Sequence, residues 1–238
     1  MPRKPRMYLP GLPCHVVQRG NNREACFFCE DDYRLYLGCL GEACERYGVE
    51  LHAYVLMTNH VHLLMTPTIE EAISRVIQSV GRRYVQYINH TYRRTGTLWE
   101  GRHKASVVDA EHYLLACYQY IELNPVRASM VDHPSAYPWS SHAHNAYGRR
   151  QACITEHDLY LRLGADRAER CGAYRGLFSA SLDRDGVHAI RRASAFGMPL
   201  GNERFKAQIE QALGSRIGHA RRGRPVSGES DVSGVDAY

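Results

Sequence analysis

No run of apolar residues in this 238-residue chain approaches the length needed to cross a bilayer. No signal-peptide pattern opens the chain, so its 8 cysteines are expected to stay reduced in the cytoplasm. A second CxxC is also missing. Cys26-Phe27-Phe28-Cys29 stands alone, without a partner pair at zinc-finger spacing. These thiols are therefore read as buried or half-buried, with a structural zinc as the minor alternative. What is present is a 44% apolar chain, enough for a real core, and 30 Lys and Arg that leave a formal charge of +5. The basic residues come in clusters, which points to a polyanionic partner.

The most informative stretch is Thr58-Asn59-His60-Val61-His62-Leu63-Leu64-Met65. A strand repeats every two residues, so His60 and His62 share one face while Val61, Leu63 and Met65 face a core. Two neighbouring imidazoles are half of a metal site, or else two satisfied histidines on a half-exposed strand. Around this stretch the pattern gives a strand at 14–19 and a helix at 32–47 capped by Asp31 or Asp32 and stopped by Gly48. A strand at 50–57 then pairs with the histidine strand as a hairpin. Thr68 and Glu71 predict a capping box for a helix over 69–91. A strand at 105–108 and a helix at 110–123, ended by Pro125, follow. This order predicts an α+β, ferredoxin-like sandwich: a central antiparallel sheet with packed helices and a central histidine strand.

On the helix at 110–123, Leu114, Cys117, Tyr118 and Ile121 form the apolar stripe. Tyr120 and Asn124 are four residues apart on a neighbouring side. Taken alone, Tyr120 reads as a packing tyrosine. If its helix crosses the histidine strand, His60, His62 and the Asn124 amide could hold a metal beside the Tyr120 hydroxyl. That set suits phosphodiester chemistry, in which a metal polarises a phosphate and a phenol attacks it. Arg19 and Arg23 flank the Gly20-Asn21-Asn22 turn, Arg82 and Arg83 lie on the outer face of the 69–91 helix, and Arg102 and Lys104 follow Trp99. All six are candidate DNA contacts, the alternative being ordinary solvated charge.

Asn59-His60-Val61-His62, Leu98-Trp99-Glu100-Gly101-Arg102 and Tyr120-Ile121-Glu122-Leu123-Asn124-Pro125-Val126-Arg127-Ala128, in this order, resemble the REP-associated tyrosine transposases. These belong to the His-hydrophobic-His superfamily of single-strand DNA transposases. The resemblance runs from about Arg6 through Tyr137-Pro138-Trp139-Ser140-Ser141. It implies that His60 and His62 bind a divalent ion, Mg²⁺ or Mn²⁺, with Asn124 as a third polar ligand, and that Tyr120 is the nucleophile. It further implies metal-dependent nicking and rejoining of single-stranded hairpin DNA from palindromic repeats through a 5′-phosphotyrosine, by a monomer in the cytoplasm at the nucleoid. The alternative is a hairpin DNA or RNA binding protein without catalysis. A phosphoesterase of the two-His-motif type is the less favoured reading.

The expected organisation is a catalytic domain at 1–146, a small helical accessory region at 147–214 and a basic tail at 215–238, which its Gly, Ser, Arg and Asp content predicts to be disordered. Thr155, Asp183 and Asn202 are predicted caps of short helices in the accessory region. That region reads equally as a helix-turn-helix-like DNA contact and as a cover for an apolar face. In the tail, Arg221-Arg222-Gly223-Arg224-Pro225 has the form of an AT-hook minor-groove binder, or is a chance match in a basic segment.

Overall fold

The computed structural model describes residues 8–179 and 182–214. The first six elements are β1 (Cys14–Arg19), α1 (Glu30–Tyr47), β2 (Val49–Met57), β3 (His60–Pro67), α2 (Ala72–Thr91) and β4 (Lys104–Val107). The sheet order is β2-β3-β1-β4, with every pairing antiparallel. This is the ferredoxin-like α+β sandwich, and the histidine strand β3 is central. The alternation of β3 divides two cores. Val61, Leu63 and Met65 pack with α1 and α2, where Phe27, Tyr36, Tyr84 and Trp99 form an aromatic cluster. Leu64 faces the other way, into a second core built by α3 (Ala110–Glu122) with Leu114, Cys117, Tyr118 and Ile121. The tyrosine helix thus crosses the histidine face.

Several element ends differ from the sequence expectation. Helix α1 starts at Glu30, with Cys29 at the cap position. Asp32 takes the third helical position and accepts the Phe28 and Cys29 amides at 2.7 and 3.0 Å. The capping box of Thr68 and Glu71 does not form. The Thr68 hydroxyl donates to the Gly48 carbonyl at 2.7 Å, Glu71 pairs with Arg75, and α2 begins three residues later than expected, at Ala72. Gly48, at φ +65°, ends α1 in the left-handed region as expected. Helix α3 ends at Glu122, shortly before Pro125 as expected, and Pro125 belongs to the next short helix. It lies in the first turn of α4 (Asn124–Arg127), where its missing amide costs nothing. Thr155 does not cap. Its amide reaches Leu51, and the His157 ring caps α6 (Asp158–Leu161) instead. Asp183 and Asn202 do cap their helices.

The remaining helices are α5 (His142–Tyr147), α7 (Arg167–Leu177), α8 (Arg184–Phe196) and α9 (Glu203–Leu213). Residues 139–141 run beside β2: the Leu56 amide bonds to Trp139 and the Ser141 amide to Tyr54. Ser141 brings α5 to Glu122, at the end of α3. The fully buried Glu122 carboxyl accepts from Ser141 at 2.6 Å, Asn145 at 2.8 Å, His142 at 2.8 Å and Tyr174 of α7 at 2.8 Å. One carboxyl therefore ties three helices together. Among the described residues no helix is long and apolar enough to cross a membrane.

Removing one partner from such a network strands the others without water. Glu122→Ala is expected to destabilise the fold by ~3–5 kcal/mol, read as a drop in the urea midpoint, and Glu122→Gln by less. An unchanged midpoint for Glu122→Ala would show that the carboxyl holds nothing together.

Candidate active site

A cavity of about 570 Å³ opens on the histidine face, lined by His60, His62, Tyr120 and Asn124 together with Arg19, Glu100, Arg102, Lys104 and Arg191. Three separate sequence motifs meet here, and each is delivered by a local device. Asn59 orients His60: its side-chain oxygen takes the His60 Nδ1 proton at 2.6 Å, while its nitrogen is held by the Arg23 carbonyl at 2.8 Å. His62 Nδ1 is 2.8 Å from His15 Nε2, so one ring donates and the other accepts. With both Nδ1 atoms engaged, both Nε2 atoms remain for the cavity.

Trp99 anchors the second motif. Its ring is buried against Tyr36 and Tyr84, and the adjacent backbone continues the β1 register, the Glu100 amide bonding to Arg19 at 2.9 Å. Glu100 and Arg102 are thereby carried to the cavity wall. The third motif supplies Tyr120 and Asn124. Tyr118 points into the core between Tyr160 and Tyr174, whereas the Tyr120 ring stands edge-on to His15 and His62 at 5.8 and 5.9 Å. Arg127 lies over the Tyr120 ring at 4.4 Å and donates to the Tyr120 carbonyl. Asn124 turns its amide nitrogen back onto the carbonyls of Tyr120 and Ile121 at 3.0 and 3.2 Å, which leaves its oxygen for the cavity.

The electrostatics follow from burial. Desolvation pushes the His15 and His60 imidazoles down to about 4, with Arg19 adding to the effect at His60. Burial holds His62 well below the ordinary range, aided by His15, His60, Arg127 and Arg19. Burial also lowers Arg127, and nearby Arg191 lowers it further, while Tyr120 opposes the shift. The histidines are neutral at neutral pH, the form that ligates metals. Among the described residues no three His, Cys, Asp or Glu side chains form a metal cage, so a bound ion would need the Asn124 oxygen or oxygens of its own.

The sequence model of the family described as "Transposase IS200 like" matches residues 9–124. This segment is an IS200-like transposase domain. It spans β1 through Asn124 and holds His60, His62 and Tyr120, and the chain is a DNA transposase enzyme. A solved REP-associated tyrosine transposase bound to a REP hairpin shares the fold: 18% identity and a TM-score of 0.52, over 66% of this chain and 93% of that one. A candidate transposase from Deinococcus radiodurans R1 is 24% identical over 50% of this chain and 95% of its own, with a TM-score of 0.36. No curated protein matches the sequence.

The basic residues singled out in the sequence divide within this transposase. Arg19, Arg102 and Lys104 line the cavity. Arg82 borders an adjoining groove of about 1000 Å³ along α2, which shares Arg102 with the cavity. Arg83 is paired with Glu42 of α1 at 2.6 Å, and Arg23 sits in the turn after β1 with a left-handed φ of 62°. Arg221, Arg222 and Arg224 lie outside the described residues, as does the proposed minor-groove motif. His15, Arg127, Glu100 and Arg191 were not picked out as site residues. The period of β1 puts His15 and Arg19 on one face, the one signal that could have found His15.

The burial of the histidines has a direct readout. In a ¹H–¹⁵N NMR titration of metal-free transposase, the His60 ring is expected to stay neutral down to about pH 4, and the His62 ring to stay neutral well below the ordinary imidazole range. A His60 midpoint near its ordinary value of about 6.5 would mean that the cavity is far wetter than its geometry implies.

Proposed function

We propose that this transposase nicks and rejoins single-stranded hairpin DNA through a covalent 5′-phosphotyrosine on Tyr120, as a monomer working in the cytoplasm at the nucleoid. The convergence of Tyr120 with His60, His62 and Asn124 on one cavity, within the matched segment, carries this reading. The structural relative is bound to a REP hairpin, which supports a hairpin from palindromic repeats as the substrate here. In this reading residues 1–146 are catalytic, 147–214 accessory, and 215–238 a tail that adds DNA affinity.

The donor set fits a divalent ion. His60 and His62 are neutral with Nε2 available, and the Asn124 oxygen is a third donor. Imidazole ligands favour Mn²⁺, and availability favours Mg²⁺. When bound, the ion would polarise the scissile phosphate and offset developing charge. The protein's own part is placement. Arg19, Arg102 and Lys104 hold phosphates, and Arg127 keeps a positive charge over the nucleophile's ring. Tyr120 Oη bonds to phosphorus, the bond from phosphorus to the 3′ oxygen breaks, and the phenol's proton ends on that oxygen. Rejoining reverses these events. The phosphotyrosine retains the energy of the broken ester, so no ATP is needed.

Incubation with a labelled hairpin oligonucleotide and Mn²⁺ or Mg²⁺ tests this on a denaturing gel. A covalent adduct is expected from the parent and from Tyr118→Phe, and none from Tyr120→Phe, whose hairpin affinity stays near normal. His60→Ala or His62→Ala should slow nicking at least ~10²-fold, as loss of several kcal/mol of charge stabilisation implies. Tight hairpin binding by a parent that never forms the adduct would support a binding protein without catalysis, and full activity in EDTA would remove the metal.

The cis arrangement has its own test. Mixing His60→Ala with Tyr120→Phe is expected to leave nicking absent, because each site lies within one chain. Restored nicking would show that two copies share a site.

A further inference from the structure

The matched transposase segment ends at residue 124, yet its cavity does not close with that segment. Arg191, Ser194 and Ala195 of α8 form part of the wall. This helix is firmly seated. Ile190 and Ala193 are buried in the core under the histidine face. The chain just after it is tied to the end of β4, with the Leu200 amide bonding to Val107 and the Asp109 amide to Leu200, both at 2.8 Å. Gly197, at φ +62°, makes the turn between helix and tie, and a side-chain carbon there would sit 3.4 Å from the Ala105 carbonyl. Two consecutive arginines, Arg191 and Arg192, are exposed on α8, and only the first lines the cavity.

The wall is charged without compensation. Arg19, Arg102, Lys104 and Arg191 face the cavity against a single carboxyl, Glu100. None of the four cations makes an ion pair among the described residues. Arg191 is also near enough to Arg127 to depress its basicity. Cations gathered this way repel one another until an anion joins them, and a strand carrying one phosphate per nucleotide is such an anion.

We propose that α8 is a working wall of the strand-binding cavity, and that Arg191 holds the phosphate backbone of the bound single strand together with Arg19, Arg102 and Lys104. This rests on the reading of the cavity as a site for single-stranded DNA. It gives the region after the matched segment a part in placing the strand, in addition to covering a core. Arg191 is a positioning residue: it grips the strand beside the reacting phosphate and takes no part in the exchange of bonds.

The test uses full-length protein in the Tyr120→Phe background, so that chemistry does not confuse binding. A fluorescent hairpin oligonucleotide with a single-stranded flank is titrated at several salt concentrations. Arg191→Ala should weaken binding roughly 3- to 10-fold near 0.1 M salt and lower the slope of log K against log salt by about 0.7, the contribution of one single-strand phosphate contact. Arg191→Lys should recover most of the slope, and Arg192→Ala, on the same helix outside the cavity, should change neither quantity. An unchanged slope for Arg191→Ala, or equal losses for Arg191→Ala and Arg192→Ala, would overturn the proposal. Adduct formation by the parent is scored separately. If no adduct forms but the Arg191 effect is present, the nicking chemistry fails and the strand contact stands. If the adduct forms and the Arg191 effect is absent, the reverse holds. No binding by the parent overturns both.

Discussion

The geometry around Tyr120 depends on a carboxyl that never meets the cavity. Glu122 ends α3, and its two oxygens accept from Ser141, Asn145, His142 and Tyr174. A buried carboxyl is tolerable only when its lone pairs are filled, so these four donors are bound to a fixed place. Tyr120 sits two residues earlier on the same helix. The network that fixes the helix end therefore also fixes the rotation that turns Tyr118 inward and Tyr120 toward the histidines. It explains why the Tyr120–Ala128 and Tyr137–Ser141 stretches behave as one unit: Ser141 of the second is hydrogen-bonded to Glu122 of the first.

At the cavity two effects act on the histidines together. Burial strips water from His60 and His62 and so keeps them uncharged, as ligands must be. The same environment is lined by cations, which penalise any further positive charge. Both effects push the histidines toward the neutral form, and an incoming phosphate would offset only the second. The cavity is thus neutral at its histidines and positive along its wall.

Much of this was legible in the sequence because it rests on short-range rules. The period of two in His60-Val61-His62 placed both imidazoles on one face, and the helical period separated Tyr120 from Tyr118. The split strand and helix order gave the sandwich. The failures were of two kinds. Caps were misassigned where a tertiary partner outbid the local one, as when Thr68 bonds to Gly48 across from the end of α1. Contacts between distant segments carry no local pattern, so Arg191 in the cavity wall was not legible, and the period of β1 could give the face of His15 but not its pairing with His62.

The two outer strands of the sheet are not bare. Residues 139–141 occupy the free side of β2, and Leu200 bridges to the end of β4 beside Val108. A sheet with open margins can grow by adding a strand from another molecule. Here the chain itself covers the middle of one margin and the end of the other, which leaves less of either open to such a strand.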